Sequence, residues 1–172
     1  MLQLGLIERS GRIPKAYEGC LALGDSGINL TQADVRQLQL AKGAIRAGMD
    51  TLLHKCCVEY SSISEIILCG GFGSFLDPQS AEGIGLLPDG LAARTRAIGN
   101  AAGAGAGRIL QSHDAFDYAK HIAAGARTLE LSYSDFFRKR FVSAMAFNSA
   151  SINPNTEANG DCVTDRFNPY PA

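Results

Sequence analysis

The sequence predicts an α/β fold, a small mixed sheet with helices packed on it in three layers, and three stretches lead to that reading. Ile66-Ile67-Leu68-Cys69 is a short apolar run of the kind that forms a buried strand, and Gly70-Gly71 follow it directly. Residues Gln32 to Cys56 have the start signal and the periodicity of one long helix. Between Gly99 and Gly107 a glycine recurs every four residues in an otherwise helical, alanine-rich segment. Such a segment makes one face without side chains.

Composition bounds what the chain can do. Its 172 residues amount to one domain of ordinary size or half of a larger one, enough to bury roughly 70% of the surface exposed on unfolding. Lys and Arg number 16, Asp and Glu 17, and neither sign gathers into a run, which argues against nucleic acid or an anionic membrane as the main partner. The five cysteines, at 20, 56, 57, 69 and 162, contain no Cys-x-x-Cys pair and are expected to be reduced thiols of a cytoplasmic protein. No apolar run approaches the length of about 18 residues that a membrane span needs. The N-terminus lacks the pattern of a signal peptide.

Taken in order, the chain opens with two apolar runs, Leu2 to Ile7 and Cys20 to Leu23, separated by the polar stretch Glu8 to Glu18. Gly24-Asp25-Ser26-Gly27 reads as a tight turn. Thr31 stands where a helix N-cap should be, and Asp34 three residues later suits the positive end of the helix. Val35, Leu38, Ile45, Met49, Leu52 and Cys56 then recur at spacings of three, four and seven, and are expected to form the buried stripe. Lys42 interrupts that stripe, with Arg46 one turn further on. A lysine there either snorkels past its neighbours to water or points into a polar site.

The run Ile66 to Ser74, IILCGGFGS, comes next. Its two glycines let the backbone turn sharply and approach something bulky. It has neither the Gly-x-Gly-x-x-Gly of a dinucleotide loop nor the Gly-Lys-Ser/Thr of a P-loop, so a core strand ending in a tight turn and a nucleotide turn both remain open. After Asp77-Pro78, residues Gln79 to Leu86 suggest a short helix. In the glycine-rich segment each glycine costs about 1 kcal/mol relative to alanine. Gly99, Gly103 and Gly107 must then serve close packing or leave room for a ligand. Asp114 to Gly125 has helical periodicity, Thr128 to Leu131 alternates like a strand, and Ser134 caps a last helix through Phe137, Phe141 and Met145. We expect a domain over 1–147 and a loosely ordered tail over 148–172, rich in Asn, Pro, Asp and Gly. His54, His113 and His121 lack metal-ligand spacing, and neither a Gly-x-Ser-x-Gly elbow nor a Cys with an evident His partner is present. No catalytic residue and no metal ligand is assigned.

Four blocks in order, LGLIERSGRI, LTQADVRQLQLAKGAIRAGMDTLL, IILCGGFGSFLDPQSAEGIGLLP and IGNAAGAGA, together resemble the C-terminal region of the reductive activators of corrinoid proteins. More broadly, the order of long helix, strand into Gly-Gly and Gly-Ala helix resembles half of an actin-like (ribonuclease H-like) ATPase domain, shared with sugar kinases and heat-shock chaperones. The resemblance implies that Gly70, Gly71 and Phe72, with Gly73 and Ser74, form a turn that contacts ribose and adenine. It implies that Lys42 and Arg46 lie near the base and that Gly99, Asn100 and Gly103 form a helix start packed against the turn. It further implies ATP or ADP with Mg2+ as ligand of the parent protein, an iron–sulfur cluster in an N-terminal domain that this chain lacks, and a corrinoid protein as partner. Such activators return a Co(II) corrinoid to Co(I) at the expense of ATP.

This chain would supply the adenosine side of the cleft, would need the other lobe of the ATPase for hydrolysis, and is expected to be a truncated product or an excised piece. An apolar face left uncovered by that lobe would allow a homodimer. A sugar-kinase-like or chaperone-like ATPase fragment, or an interaction module without nucleotide, are the alternative readings.

Overall fold

The computed structural model of the chain describes residues 1–147. The expected tail, 148–172, lies outside the described residues.

The first element is a hairpin, β1 (Cys20–Ala22) antiparallel to β2 (Asn29–Thr31), with Leu21 opposite Leu30. The Gly24-to-Gly27 stretch is the turn between them, closed by the Leu23 N–H donating to Ile28 C=O at 2.8 Å. Helix α1 follows at once, over Gln32–Cys56 as the sequence signals indicate. Thr31 and Asp34 form a reciprocal capping box: the Asp34 N–H donates to Thr31 Oγ1 at 3.2 Å, and the Thr31 N–H donates to Asp34 Oδ2 at 2.9 Å. Those bonds satisfy two backbone donors that would otherwise have only water. Thr31→Ala is expected to lower stability by about 1 kcal/mol, measurable as a shift in urea midpoint at unchanged slope; an unshifted midpoint would show the cap to be dispensable.

Beyond α1, β3 (Ile66–Leu68) pairs in parallel with β4 (Thr95–Ala97), Ile67 opposite Arg96. The crossover between them contains α2 (Gly70–Gly73), α3 (Pro78–Gly83) and a 3₁₀ turn at Ala92–Arg94. Helices α4 (Ala101–Gln111), α5 (His113–Gly125) and α6 (Asp135–Ala144) complete the described chain. The class is α/β with small sheets, but the strands form two separate pairs, one antiparallel and one parallel. Thr128 to Leu131 is irregular and not the expected strand. The Leu131 side chain lies 3.7 Å from where a Cβ of Gly48 would stand, so it packs on α1.

Among the described residues two apolar clusters make the core. One joins Ile7, Ile13, Leu21, Val35 and Phe147, and the Phe147 N–H donates to Arg9 C=O at 2.9 Å. The other joins Ala81, Leu86 and Leu87, with Met49, Ile66 and Leu76 packed at its margin. Helix α6 lies along α1, where the expected stripe is corrected. Leu38, Ile45 and Leu52 are 40, 44 and 54% exposed, whereas the buried face is Val35, Gln39, Lys42, Gly43, Arg46, Ala47, Asp50 and Thr51. The reason is the partner: the far end of the chain offers α1 carbonyl groups and an arginine, and polar side chains answer those better than leucines do.

The glycine face of α4 is also not packed. Nothing lies within 4 Å of a Cβ built on Gly99, Gly105 or Gly107, and at Gly103 the nearest atoms belong to the Asn100 side chain. Of the two uses the sequence left open, close packing is not made among the described residues. As for thiols, Cys20, Cys56 and Cys69 are free and exposed.

Candidate functional site

A parallel pair of strands ends on one side, and both strands end here in glycine. After Leu68 the chain passes through Cys69 to Gly70, whose φ is +83°; after Ala97 it passes through Ile98 to Gly99, whose φ is +70°. Residues with a Cβ rarely adopt such angles. The two turns touch: the Ile98 N–H donates to Leu68 C=O at 2.9 Å, and the Gly70 N–H donates to Gly99 C=O at 2.8 Å. The ladder of the sheet is thereby extended across the turns themselves. A Cβ built on Gly70, Gly71 or Gly99 would meet nothing within 4 Å, so a patch of bare backbone faces open space at the carboxyl ends of β3 and β4. In open parallel sheets this is where ligands sit.

Each helix start is fixed by a local bond. At α4 the Asn100 side chain accepts from the Gly103 N–H at 2.9 Å, and the Asn100 C=O accepts from Ala104 at 3.1 Å. The missing side chain at Gly103 is what admits the Asn100 amide, because a Cβ there would stand 2.6 Å from its nitrogen. In the other turn, Ser74 Oγ donates to Gly70 C=O at 2.7 Å and holds the short helix α2 closed. Gly73 is buried, and a Cβ there would stand 3.3 Å from the Leu68 Cβ. Phe72 is 71% exposed beside this backbone patch. Phe75, more exposed still and not singled out from the sequence, stands just past the turn. Its signal was a second aromatic in a short glycine-rich segment.

The structure thus brings Gly70, Gly71, Phe72, Gly73 and Ser74 together with Gly99, Asn100 and Gly103. It places Lys42 and Arg46 differently. Lys42 is fully buried, and its ammonium donates to Ala144 C=O at 2.6 Å and Ala146 C=O at 2.7 Å, with the Phe147 ring 5.2 Å away. It therefore neither snorkels to water nor offers its charge to an open site. Burial, and then the charge of Arg46, lower its pKa to about 8.

Arg46, likewise buried, donates through Nε to Asp50 Oδ1 at 3.0 Å and lies over the Tyr60 ring at 5.5 Å. Asp50 also accepts from Arg140 Nε at 2.9 Å, from Arg140 Nη2 and from the Tyr60 hydroxyl. Both long-helix cations, assigned to the base by resemblance, are committed to the α1–α6 interface because its carbonyls and carboxylate compensate their burial. Sequence reasoning missed Asp50, Tyr60 and Arg140; the i, i+4 spacing of Arg46 and Asp50 was the one local hint.

Among the described residues no group of three or more His, Cys, Asp or Glu is placed to hold a metal ion. Nor, among them, is any helix long and apolar enough to cross a membrane.

Comparison with known proteins identifies the family and agrees with the fold. The family described as the C-terminal domain of RACo, the ASKHA domain, matches residues 2–159. The corrinoid activation enzyme RamQ of Eubacterium limosum is 42% identical over 87 residues, 51% of this chain and 15% of that protein. The [Co(II) methylated amine-specific corrinoid protein] reductase of Methanosarcina barkeri is 30% identical over 150 residues, 85% of this chain and 26% of that one. Among solved structures, a reductive activator for a corrinoid, iron–sulfur protein superposes with a TM-score of 0.73 at 34% identity, over 84% of this chain and 26% of the other. The chain thus spans about a quarter or less of each of these relatives.

Proposed function

This chain belongs to the family of the C-terminal ASKHA domain of RACo, and from that premise we propose that its paired glycine turns form the adenosine side of a nucleotide cleft. What supports the reading is the bare backbone patch: two positive-φ glycines, Gly70 and Gly99, joined by one hydrogen bond and open to space. A ribose can approach such a surface to van der Waals distance. The exposed ring of Phe72 gives a face for an adenine to stack on. Asn100 and Ser74 hold the two turns in shape through their bonds to Gly103 and Gly70. Lys42 and Arg46 act at a distance from the ligand, by fixing α1 against α6.

Neither turn contains an acid or a base: Gly70 to Ser74 reads GGFGS and Gly99 to Gly103 reads GNAAG. The chain on its own therefore binds nucleotide without hydrolysing it. Mg2+ and the groups that act on the phosphates belong to the remaining lobe of the longer protein. In that protein, ATP-driven closure of the two lobes biases affinity toward a partner corrinoid protein in its Co(II) form, and electrons arrive from an iron–sulfur domain outside this chain. The relatives named for corrinoid activation and reduction support this assignment of partner. The setting is cytoplasmic.

Calorimetric titration with Mg-ADP tests the site. Saturable binding is expected, and Gly71→Arg is expected to abolish it without loss of fold, since nothing lies within 4 Å of the new Cβ. A folded, monodisperse chain that releases no heat with Mg-ADP would overturn the reading and favour a module without nucleotide.

A further inference from the structure

Strands β3 and β4 pair over three residues each, Ile66 with Thr95, Ile67 with Arg96 and Leu68 with Ala97. So short a parallel ladder holds its register weakly, because a slip of two residues keeps every side chain on its own face. The glycine turns depend on that register. A slip of two would carry the Gly70 N–H about 6.6 Å past the Gly99 C=O, which it now meets at 2.8 Å. Apolar packing does little to forbid the slip, since Ile67 is 47% exposed and β4 reads Thr-Arg-Ala.

Two arginines bridge the strands instead. Arg94, the last residue of the 3₁₀ turn ahead of β4, donates through Nη1 to Ile63 C=O at 2.8 Å and to Ser61 C=O at 3.5 Å. Arg96 donates through Nε to Glu65 Oε1 and through Nη2 to Glu65 Oε2 at 3.3 Å. Both reach the segment that leads into β3, and the start of that segment is anchored by the Tyr60 hydroxyl on the buried Asp50 carboxylate. Resting on the nucleotide reading of the turns, we propose that Arg94 and Arg96 are positioning residues, a clamp that holds β3 level with β4 and so keeps Gly70 and Gly99 opposite each other for the ligand. Both side chains lie at the surface, where an ion pair contributes at most about 1 kcal/mol. Their effect is therefore on the choice of register and not on the fold as a whole. Lysine replaces neither, because one ammonium cannot span two oxygens as the flat guanidinium does.

Hydrogen exchange at the Gly70 amide, followed by NMR, and calorimetric titration with Mg-ADP, both on the 172-residue chain, test the clamp. Arg94→Met combined with Arg96→Met should speed Gly70 exchange about tenfold and weaken Mg-ADP binding about tenfold, the loss of two surface pairs. Exchange at Ala47, buried in α1, should stay as it is. Arg96→Glu alone should also speed Gly70 exchange, and adding Glu65→Arg should slow it again, a rescue that restored pairing gives and restored bulk does not. Unaltered Gly70 exchange in the double variant overturns the proposal, as does faster exchange at undiminished affinity for Mg-ADP. If the native chain itself binds no Mg-ADP, the nucleotide reading alone fails, and faster Gly70 exchange in the variant still bears out the clamp.

Discussion

Asp50→Asn is expected to destabilise the fold by about 3–5 kcal/mol, a large part of the whole stability of an ordinary domain. The carboxylate is fully buried, and two arginines and a tyrosine converge on it. Replacing a buried ion pair wholesale with apolar groups is often neutral; removing its negative member alone is not. Arg46 and Arg140 would then face each other across a neutral amide at the α1–α6 interface. The shape is preserved in Asn, so the loss reports charge and not a cavity. Urea unfolding followed by circular dichroism checks this. A change below about 1 kcal/mol, the worth of an exposed pair, would mean that solvent reaches the network. Asp50→Asn with Arg140→Met should recover part of the loss, because the double change withdraws a cation together with its anion.

The second large effect is a rise in stability with pH that depends on Lys42. Its folded pKa is lowered to about 8 from an ordinary 10.5, chiefly because burial disfavours the ammonium and then because Arg46 repels it. Below pH 8 both folded and unfolded chains hold the proton, and the group contributes no slope. Between about 8 and 10.5 the unfolded chain binds more protons, so the stability contributed by Lys42 increases with pH. Above that window it is constant. The total is on the order of 3 kcal/mol. Deprotonation leaves the hydrogen bonds intact, since a neutral amine still has two hydrogens for Ala144 and Ala146. Lys42→Met lacks the titration. The difference in unfolding free energy between the native chain and this variant should therefore climb from pH 7.5 to 9.5; a flat difference would show the ammonium to be solvated.

These residues also mark how far the sequence could be read. Helix α1 was legible to its ends, because Thr31 and Asp34 cap it through bonds that span three residues. The strand at Ile66 and the Gly70-Gly71 turn after it were legible for the same reason, since backbone angles are a local demand; the burial expected of that strand was not found, with Ile67 exposed, and Gly99, expected within the helix, is a positive-φ turn ahead of it. What no local rule could supply was the helix face. The periodic leucines suggested an apolar seam, but the groups that bury the polar face lie about a hundred positions away, at Arg140, Ala144 and Ala146. A lysine looks like an exception until those carbonyls are known. Strand β4 was missed because Thr95-Arg96-Ala97 carries no apolar pattern; it is a strand only by pairing with β3. The Gly70-Gly71 turn was readable as a turn, and the direction in which Lys42 and Arg46 point was not, since that depended on which side of α1 faces α6.

The distance from Lys42 to its acceptors has a meaning for how the protein comes to be made. Lys42 joins carbonyls 102 and 104 residues downstream, and Gln39 reaches Met145, 106 residues on. During vectorial synthesis the long helix emerges early and can wind at once, but its charged side then waits in water until α6 leaves the ribosome. Closure of so long a loop is slow compared with helix formation. The contacts that finish the fold thus come from its final dozen described residues, and nascent chains halted before Arg140 should remain open to protease along α1.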